Sequence, residues 1–138
     1  MIVLDTNVVS ETLRARPSPA VMHWLESRDE PFAVAAVTIG ELLTGVRLLP
    51  DGKRRDGLME AVEHVLLRWA ITLPYDAEAA RIYAAMREHA QAIGRGLRVE
   101  DGMIAATCAA HGASLATRNT ADFDFLPVPA VNPWEAGG

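Results

Sequence analysis

The sequence predicts an α/β fold: a single domain with a central parallel β-sheet flanked by α-helices in three layers. Three observations carry that prediction. Short uninterrupted apolar runs recur along the chain, stretches with helical spacing separate them, and 138 residues suit one domain, 1–138, with no linker, repeat or low-complexity stretch to divide it. Runs that lack polar alternation suit strands covered on both faces, as in parallel sheets.

The first run, Met1 to Leu4, stops at Asp5. Ser18-Pro19 reads as an N-cap and first-turn proline for a helix through His23, Trp24 and Leu25. Phe32 to Val37 is the second run, behind the turn-like Asp29-Glu30-Pro31. Thr38-Ile39-Gly40-Glu41 then has capping-box spacing for a helix carrying Leu42, Leu43 and Val46. Beyond the turn Leu49-Pro50-Asp51-Gly52, Met59, Val62, Val65, Leu66 and Trp69 recur at helical spacing. Ala70 to Leu73 is the third run. Asp76 caps a helix with the stripe Ala79, Ile82, Tyr83 and Met86, which stops at Gly94-Arg95-Gly96. The next helix begins near Glu100 and Asp101, carries Ile104, Ala105 and Cys108, and ends at His111-Gly112 with glycine in the C′ position. Ser114 to Thr117 is the fourth run and Val128 to Val131 the fifth, which Pro129 directs to a sheet edge because it has no N–H to donate.

Composition excludes several classes. With 13 Lys and Arg against 18 Asp and Glu, a net charge of −5 and 50% hydrophobic residues, the chain is neither a disordered polyanion nor a histone-like basic protein. Cys108, the single cysteine, permits no internal disulfide and no cysteine-rich zinc site, and reads as a core residue. His23, His64, His89 and His111 are scattered without ligand spacing. Asp5 interrupts the apolar start, and no apolar run approaches the ~20 residues that span a bilayer, so a cytoplasmic protein without membrane attachment is expected.

In an open parallel sheet, ligands bind outside the carboxyl ends of the strands. Asp5 ends the first strand, Glu41 lies in the first turn of the helix after the second, Asp101 opens the helix before the fourth, and Asp122 follows the fourth. If those loops converge, like charges share one small volume and push each other toward protonation. A divalent cation resolves the conflict, and an all-oxygen donor set favours Mg²⁺, with Mn²⁺ as a substitute. The metal would polarise a phosphoryl group and activate water, and a free carboxylate would accept the proton. Hydrolysis of a phosphodiester is the chemistry implied.

Val3-Leu4-Asp5-Thr6-Asn7, Thr38-Ile39-Gly40-Glu41-Leu42, Asp101-Gly102-Met103-Ile104-Ala105-Ala106-Thr107 and Leu115-Ala116-Thr117-Arg118-Asn119-Thr120-Ala121-Asp122-Phe123 together resemble a PIN-domain ribonuclease, in order and over nearly the whole chain. More narrowly they resemble VapC-type toxins of bacterial type II toxin–antitoxin systems, and the ending Val131-Asn132-Pro133-Trp134 resembles the FitB branch. The resemblance implies metal-site and catalytic roles for Asp5, Glu41, Asp101 and Asp122, with Asn7, Thr117 and Asn119 as orienting polar groups. It implies an RNA substrate and a VapB-like antitoxin that presents an arginine or lysine to the acids from a short C-terminal segment. Operator DNA would be reached only through that antitoxin. Glu100 and Asp124 remain alternatives to their neighbours. Asp101 is preferred for its spacing to Ile104, Ala105 and Cys108, and Asp122 for its distance from Asn119 in the family pattern.

Each acid also has an ordinary reading: Glu41 as the capping-box partner of Thr38, Asp101 as a first-turn acid on the helix dipole, Asp122 as a turn residue. Asp5 resists one, because ending a buried strand on a carboxylate is costly without a partner. Lys53-Arg54-Arg55 reads as a solvated helix start, with Arg14, Arg16, Arg95, Arg98 and Arg118 as further candidates for phosphate contact. A haloacid-dehalogenase-like phosphatase would need aspartate where Asn7 stands. A non-catalytic binding subunit of a FitAB-like, operator-bound regulatory complex is the other alternative. Trp24 and Trp69 read as core or interface. With Trp134 and the proline-rich end from Pro127, they suggest an exposed apolar patch and hence a homodimer, with an antitoxin groove beside Leu42, Leu43 and Val46.

Overall fold

The computed structural model describes residues 1–69 and 71–135. Five parallel strands form one sheet in the order β3-β2-β1-β4-β5: β1 (Ile2–Leu4), β2 (Phe32–Ala35), β3 (Ile71–Leu73), β4 (Ser114–Ala116) and β5 (Ala130–Val131). Each expected run supplies a strand, although Ala70 lies outside the described residues. The fifth strand is at an edge, and Pro129 immediately precedes it and uses its carbonyl to accept from Leu115 N at 2.8 Å.

Strand residues alternate between two cores, one on each face of the sheet. Val3, Ala33, Ala35 and Leu115 join Met86, Ile104, Ala105 and Cys108 from α5 (Ala77–Ala92) and α6 (Val99–Ala110). Ile2, Leu4, Val34 and Ala116 join Val8, Val9, Val21, Trp24, Leu42, Val46, Val62 and Trp69 on the other face. That second layer is built from α1 (Thr6–Thr12), α2 (Pro19–Glu26), α3 (Ala36–Arg47) and α4 (Lys53–Arg68). The period of two therefore produces the three-layer architecture, with every inner strand covered on both sides.

Local chemistry sets most helix ends. Ser18 caps α2, Asp76 caps α5 through Ala79 N at 2.9 Å, and Gly112 takes a positive φ of 63° after α6. Three expectations need correction. The capping box at Thr38 does not form: α3 begins three residues earlier, Ala35 is its N-cap, and the Thr38 hydroxyl is buried without a partner. For the same reason β2 stops short of its apolar run, since Ala36 and Val37 already belong to the helix. Trp24 and Trp69 are buried at 1% and 8% exposure, so they line no exposed patch. A seven-residue helix, α1, follows Asp5 where no helix is expected.

Along the chain, β1, β2 and β3 extend the sheet one way and β4 and β5 the other. The crevice between the carboxyl ends of β1 and β4 is therefore the topological switch point, where open α/β sheets bind ligands. Asp5 and Thr117 stand directly after those two strand ends.

Candidate active site

Asp5 is the N-cap of α1, with extended backbone, and is only 5% exposed. Its Oδ1 accepts from Thr6 N at 2.8 Å, and its Oδ2 accepts from Thr117 Oγ1 at 2.7 Å and Asn7 Nδ2 at 3.3 Å. A carboxylate offers about four lone-pair sites, so these donors orient the group and leave it accepting capacity. Burial raises its pKa above the ordinary value. The Thr117 and Thr6 hydrogen bonds oppose that rise, and the charges of Asp101 and Glu41 add to it.

Thr117 Oγ1 in turn accepts from Asn119 N at 3.2 Å, and Asn7 Oδ1 accepts from Arg118 N at 3.3 Å. Asn7, Thr117 and Asn119 thus form one connected frame around Asp5. From α3, Glu41 accepts from Thr6 Oγ1 at 2.8 Å through Oε1. Because α3 starts at Ala36, Glu41 lies in its second turn and is not engaged by Thr38.

Arg98 sits between the remaining acids. Its Nη2 contacts Glu41 Oε2 at 2.8 Å and Asp101 Oδ1 at 3.3 Å, and its Nη1 reaches Glu100 Oε2 at 3.3 Å. The hydrogen bond to Glu41 raises the pKa of the guanidinium further, against the effect of burial. Burial also lifts the pKa of Asp101; Arg98 offsets part of this, while the charges of Asp122 and Glu41 reinforce it. Beneath the site Cys108 is fully buried, and burial together with the Asp5 charge pushes its thiol up to about 12, which leaves it inert as a nucleophile.

Asp5, Glu41, Asp101 and Asp122 line a single pocket of about 560 Å³, which Glu11, Arg14, Arg98, Arg118 and Trp134 also border. Of the alternatives, Glu100 is more exposed than Asp101, at 43% against 19% for the side chains, and lies outside this pocket. Asp124 turns away to pair with Arg95 at 2.9 Å. Among the described residues, no three acidic, histidine or cysteine side chains are gathered closely enough to hold an ion jointly. The Arg98 guanidinium bridges Glu41 and Asp101 through one nitrogen. The donor set is all oxygen, and Mg²⁺ ordinarily takes one or two carboxylates plus waters, so Asp5 with Asp101 or Glu41 are the residues that could hold such an ion.

Glu11, Thr6 and the acid-bridging role of Arg98 are absent from the sequence reading. Glu11 is 4% exposed and accepts from Ser18 N at 2.8 Å and from Arg14 at 3.2 and 3.3 Å. Burial would raise its pKa, but those bonds and the Arg118 charge hold it below the ordinary value. Its signal is helical spacing: on a helix after Asp5, Asn7, Glu11 and Arg14 fall on one face. Next to the acidic pocket lies a groove of about 340 Å³, lined by Leu13, Leu42, Val46, Leu58 and Val62, which shares Thr6, Ser10, Arg14 and Glu41 with it. Leu42 and Val46 fall where the groove is expected, and Leu43 packs instead against the second core.

A five-stranded parallel sheet with four carboxylates lining one pocket at its switch point defines an α/β domain with an acidic site. The PIN domain model matches residues 2–126, and the chain belongs to the PIN-domain family. It is 42% identical over 137 residues to toxin FitB of Neisseria gonorrhoeae, covering 97% of this chain and 99% of that protein. It is 40% identical over 138 residues to VapC ribonuclease Y4jK of Sinorhizobium fredii, covering 98% and 99%. A solved structure of FitAB bound to an IR36 DNA fragment matches with a TM-score of 0.90 at 40% identity, covering 100% of this chain and 99% of that one. No helix among the described residues is long and apolar enough to cross a membrane.

Proposed function

We propose that this chain is the toxin of a VapBC/FitAB-type pair and a Mg²⁺-dependent endoribonuclease, silenced by a VapB-like antitoxin. The observation that carries this reading is the buried, multiply hydrogen-bonded Asp5 at the switch point, facing a pocket with Glu41, Asp101 and Asp122. Likeness to a VapC ribonuclease and to FitB supports the RNA substrate and the partner.

Asp5 and Asp101 would hold the ion, with Glu41 beside them. Mg²⁺, or Mn²⁺ in its place, would supply a Lewis acid for the phosphoryl oxygen and a lowered pKa for water. Thr117 and Asn7 keep the Asp5 carboxylate turned into the pocket. Asp122, exposed on the rim and free of ion pairs among the described residues, is the group suited to receive a proton from attacking water. Arg98 bridges Glu41 and Asp101 and offsets part of their charge in the resting chain. The antitoxin tail would lie with its apolar residues in the Leu42, Val46 and Leu58 groove and bring its own cation to the same acids. Two copies of the chain, each gripping one tail, form the proposed assembly.

Cleavage of single-stranded RNA by partner-free protein tests this. Activity with Mg²⁺ or Mn²⁺ and none in EDTA is expected, and undiminished cleavage under chelation would overturn the metal mechanism. The likeness to FitAB bound to DNA favours a second reading, a binding subunit whose acids only dock a basic partner. Partner-free protein inert with every divalent ion would favour that reading.

A further inference from the structure

We propose that Arg118 and Trp134 form a nucleotide subsite on the rim of the acidic pocket, holding an RNA residue next to the bond that is cut. The inference rests on the ribonuclease reading and assigns the positioning residues.

Of the three arginines that border the pocket, two are engaged. Arg14 pairs with Glu11, and Arg98 pairs with Glu41, Glu100 and Asp101. Arg118 is exposed and has no carboxylate partner within ion-pair distance among the described residues, although its charge acts on Glu11. Its guanidinium carbon instead lies 4.8 Å from the centroid of the Trp134 ring. The stack is held from both sides. Arg118 N donates to Asn7 Oδ1 at 3.3 Å, and its carbonyl accepts from Asn132 Nδ2 at 3.1 Å. Asn132 Oδ1 accepts from Trp134 N at 2.9 Å, which closes a tight turn beneath the indole, and Trp134 packs against the core of that face.

A guanidinium held over an indole ring, 4.8 Å from its centroid, is pre-ordered for nucleic acid. Its outer face can stack on an unpaired base, and its N–H edge can donate to a phosphate oxygen. Sequence-tolerant readers of single strands combine these two devices. The shelf is also coupled to the chemistry, because Asn7 bonds to both the Arg118 amide and the Asp5 carboxylate, the latter at 3.3 Å. In a chain of net charge −5, an exposed cation beside clustered acids gives a polyanion a local foothold.

The test is fluorescence anisotropy of a labelled single-stranded RNA octamer with the full chain in EDTA, across a salt series, alongside thermal melts. Arg118→Ala is expected to weaken binding about tenfold and to flatten the slope of log affinity on log salt by about 0.7, the contribution of one phosphate contact on a single strand. Arg118→Lys should keep that slope and still bind less tightly, because the stacking plane is gone. Trp134→Leu should weaken binding at each salt concentration, and Trp134→Phe should restore most of it. Arg118→Ala binding RNA with unchanged affinity and slope would overturn the subsite while leaving the ribonuclease reading intact. A wild-type chain with no measurable RNA affinity in EDTA would overturn the subsite, whereas the ribonuclease reading stands or falls on metal-dependent cleavage. If Arg118→Ala weakens only the complex with the antitoxin, the shelf belongs to a protein partner and the proposal fails.

Discussion

Replacing Arg98 by alanine removes the one cation that bridges Glu41 and Asp101, at 2.8 and 3.3 Å, and also frees Glu100. Each contact is worth of order 1 kcal/mol by Coulomb's law in a watery setting. Arg98 is 57% exposed, so screening and side-chain entropy reduce each to about 0.2–1 kcal/mol. The variant without metal should therefore lose roughly 1–2 kcal/mol, a fall of about 3–8 °C in Tm for a chain of this size. The loss depends on pH with a definite sign. Burial already holds the folded-state pKa of Asp101 above its ordinary value, so its ionised form opposes folding. Removing Arg98 deepens that penalty wherever the group is charged, and the penalty disappears as pH falls below the ordinary carboxylate value. The Tm gap between wild type and variant should thus be full at pH 7 and close in acid. Divalent cations should respond in the opposite sense. Without a resident charge to displace, Mn²⁺ or Mg²⁺ should bind about 5–30-fold more tightly, from roughly 1–2 kcal/mol of relieved repulsion. Calorimetric titration at pH 7 measures this. Unchanged or weaker cation affinity, with an unchanged Tm, would refute the idea that Arg98 stands in for a cation between the acids.

Gly102 follows Asp101 on α6, where an added Cβ would lie 2.8 Å from Tyr83 Cε2 and 3.3 Å from Leu97 Cδ2. Gly102→Ala should destabilise by about 1 kcal/mol in urea unfolding, overpacking of ~1–3 kcal/mol outweighing a helix-propensity gain of about 1, and a stabilised variant would show that Tyr83 yields freely. With water rather than the RNA 2′-hydroxyl as the proposed nucleophile, RNA products should carry 5′-phosphate and 3′-hydroxyl ends; end-group analysis that finds 2′,3′-cyclic phosphates would contradict this. Cys108→Ala should leave cleavage and its pH profile unchanged, since the thiol is fully buried with its pKa pushed up to about 12, and a shifted profile would place the thiol in the chemistry.

Strand runs and acid positions were legible because they depend on local patterns. Val3 against Ile2 and Leu4 already encodes the two faces of the sheet, and Pro129 encodes the edge. Two features were not legible. Thr6, Val8, Val9 and Thr12 are β-branched, a composition that argues against the helix they form; α1 exists because Val8 and Val9 are fully buried against the sheet and Asp5 caps it. Thr38 and Glu41 match a capping box in spacing, but helix α3 springs directly from β2 at Ala35, and the same spacing then falls inside the helix. Within the site, the convergence of Asp5, Glu41, Asp101 and Asp122 followed from strand ends. The contact of Arg98 with Asp101 is a local i,i+3 pair, but its reach to Glu41 depends on long-range packing of α3 beside α6, which no local spacing reports.

The most direct test of the account compares Asp5→Asn with wild type in two measurements on one preparation, a thermal melt in EDTA and RNA cleavage in Mg²⁺. Asn keeps the shape and an acceptor for Thr6 N while removing a buried charge that burial, Asp101 and Glu41 all disfavour. The melt should show no loss of stability, and cleavage should fall by at least ~100-fold, the scale expected when a metal-holding or charge-stabilising group is lost. An Asp5→Asn chain that melts with wild type yet cuts RNA within a few-fold of its rate would contradict the central claim that this carboxylate carries the chemistry.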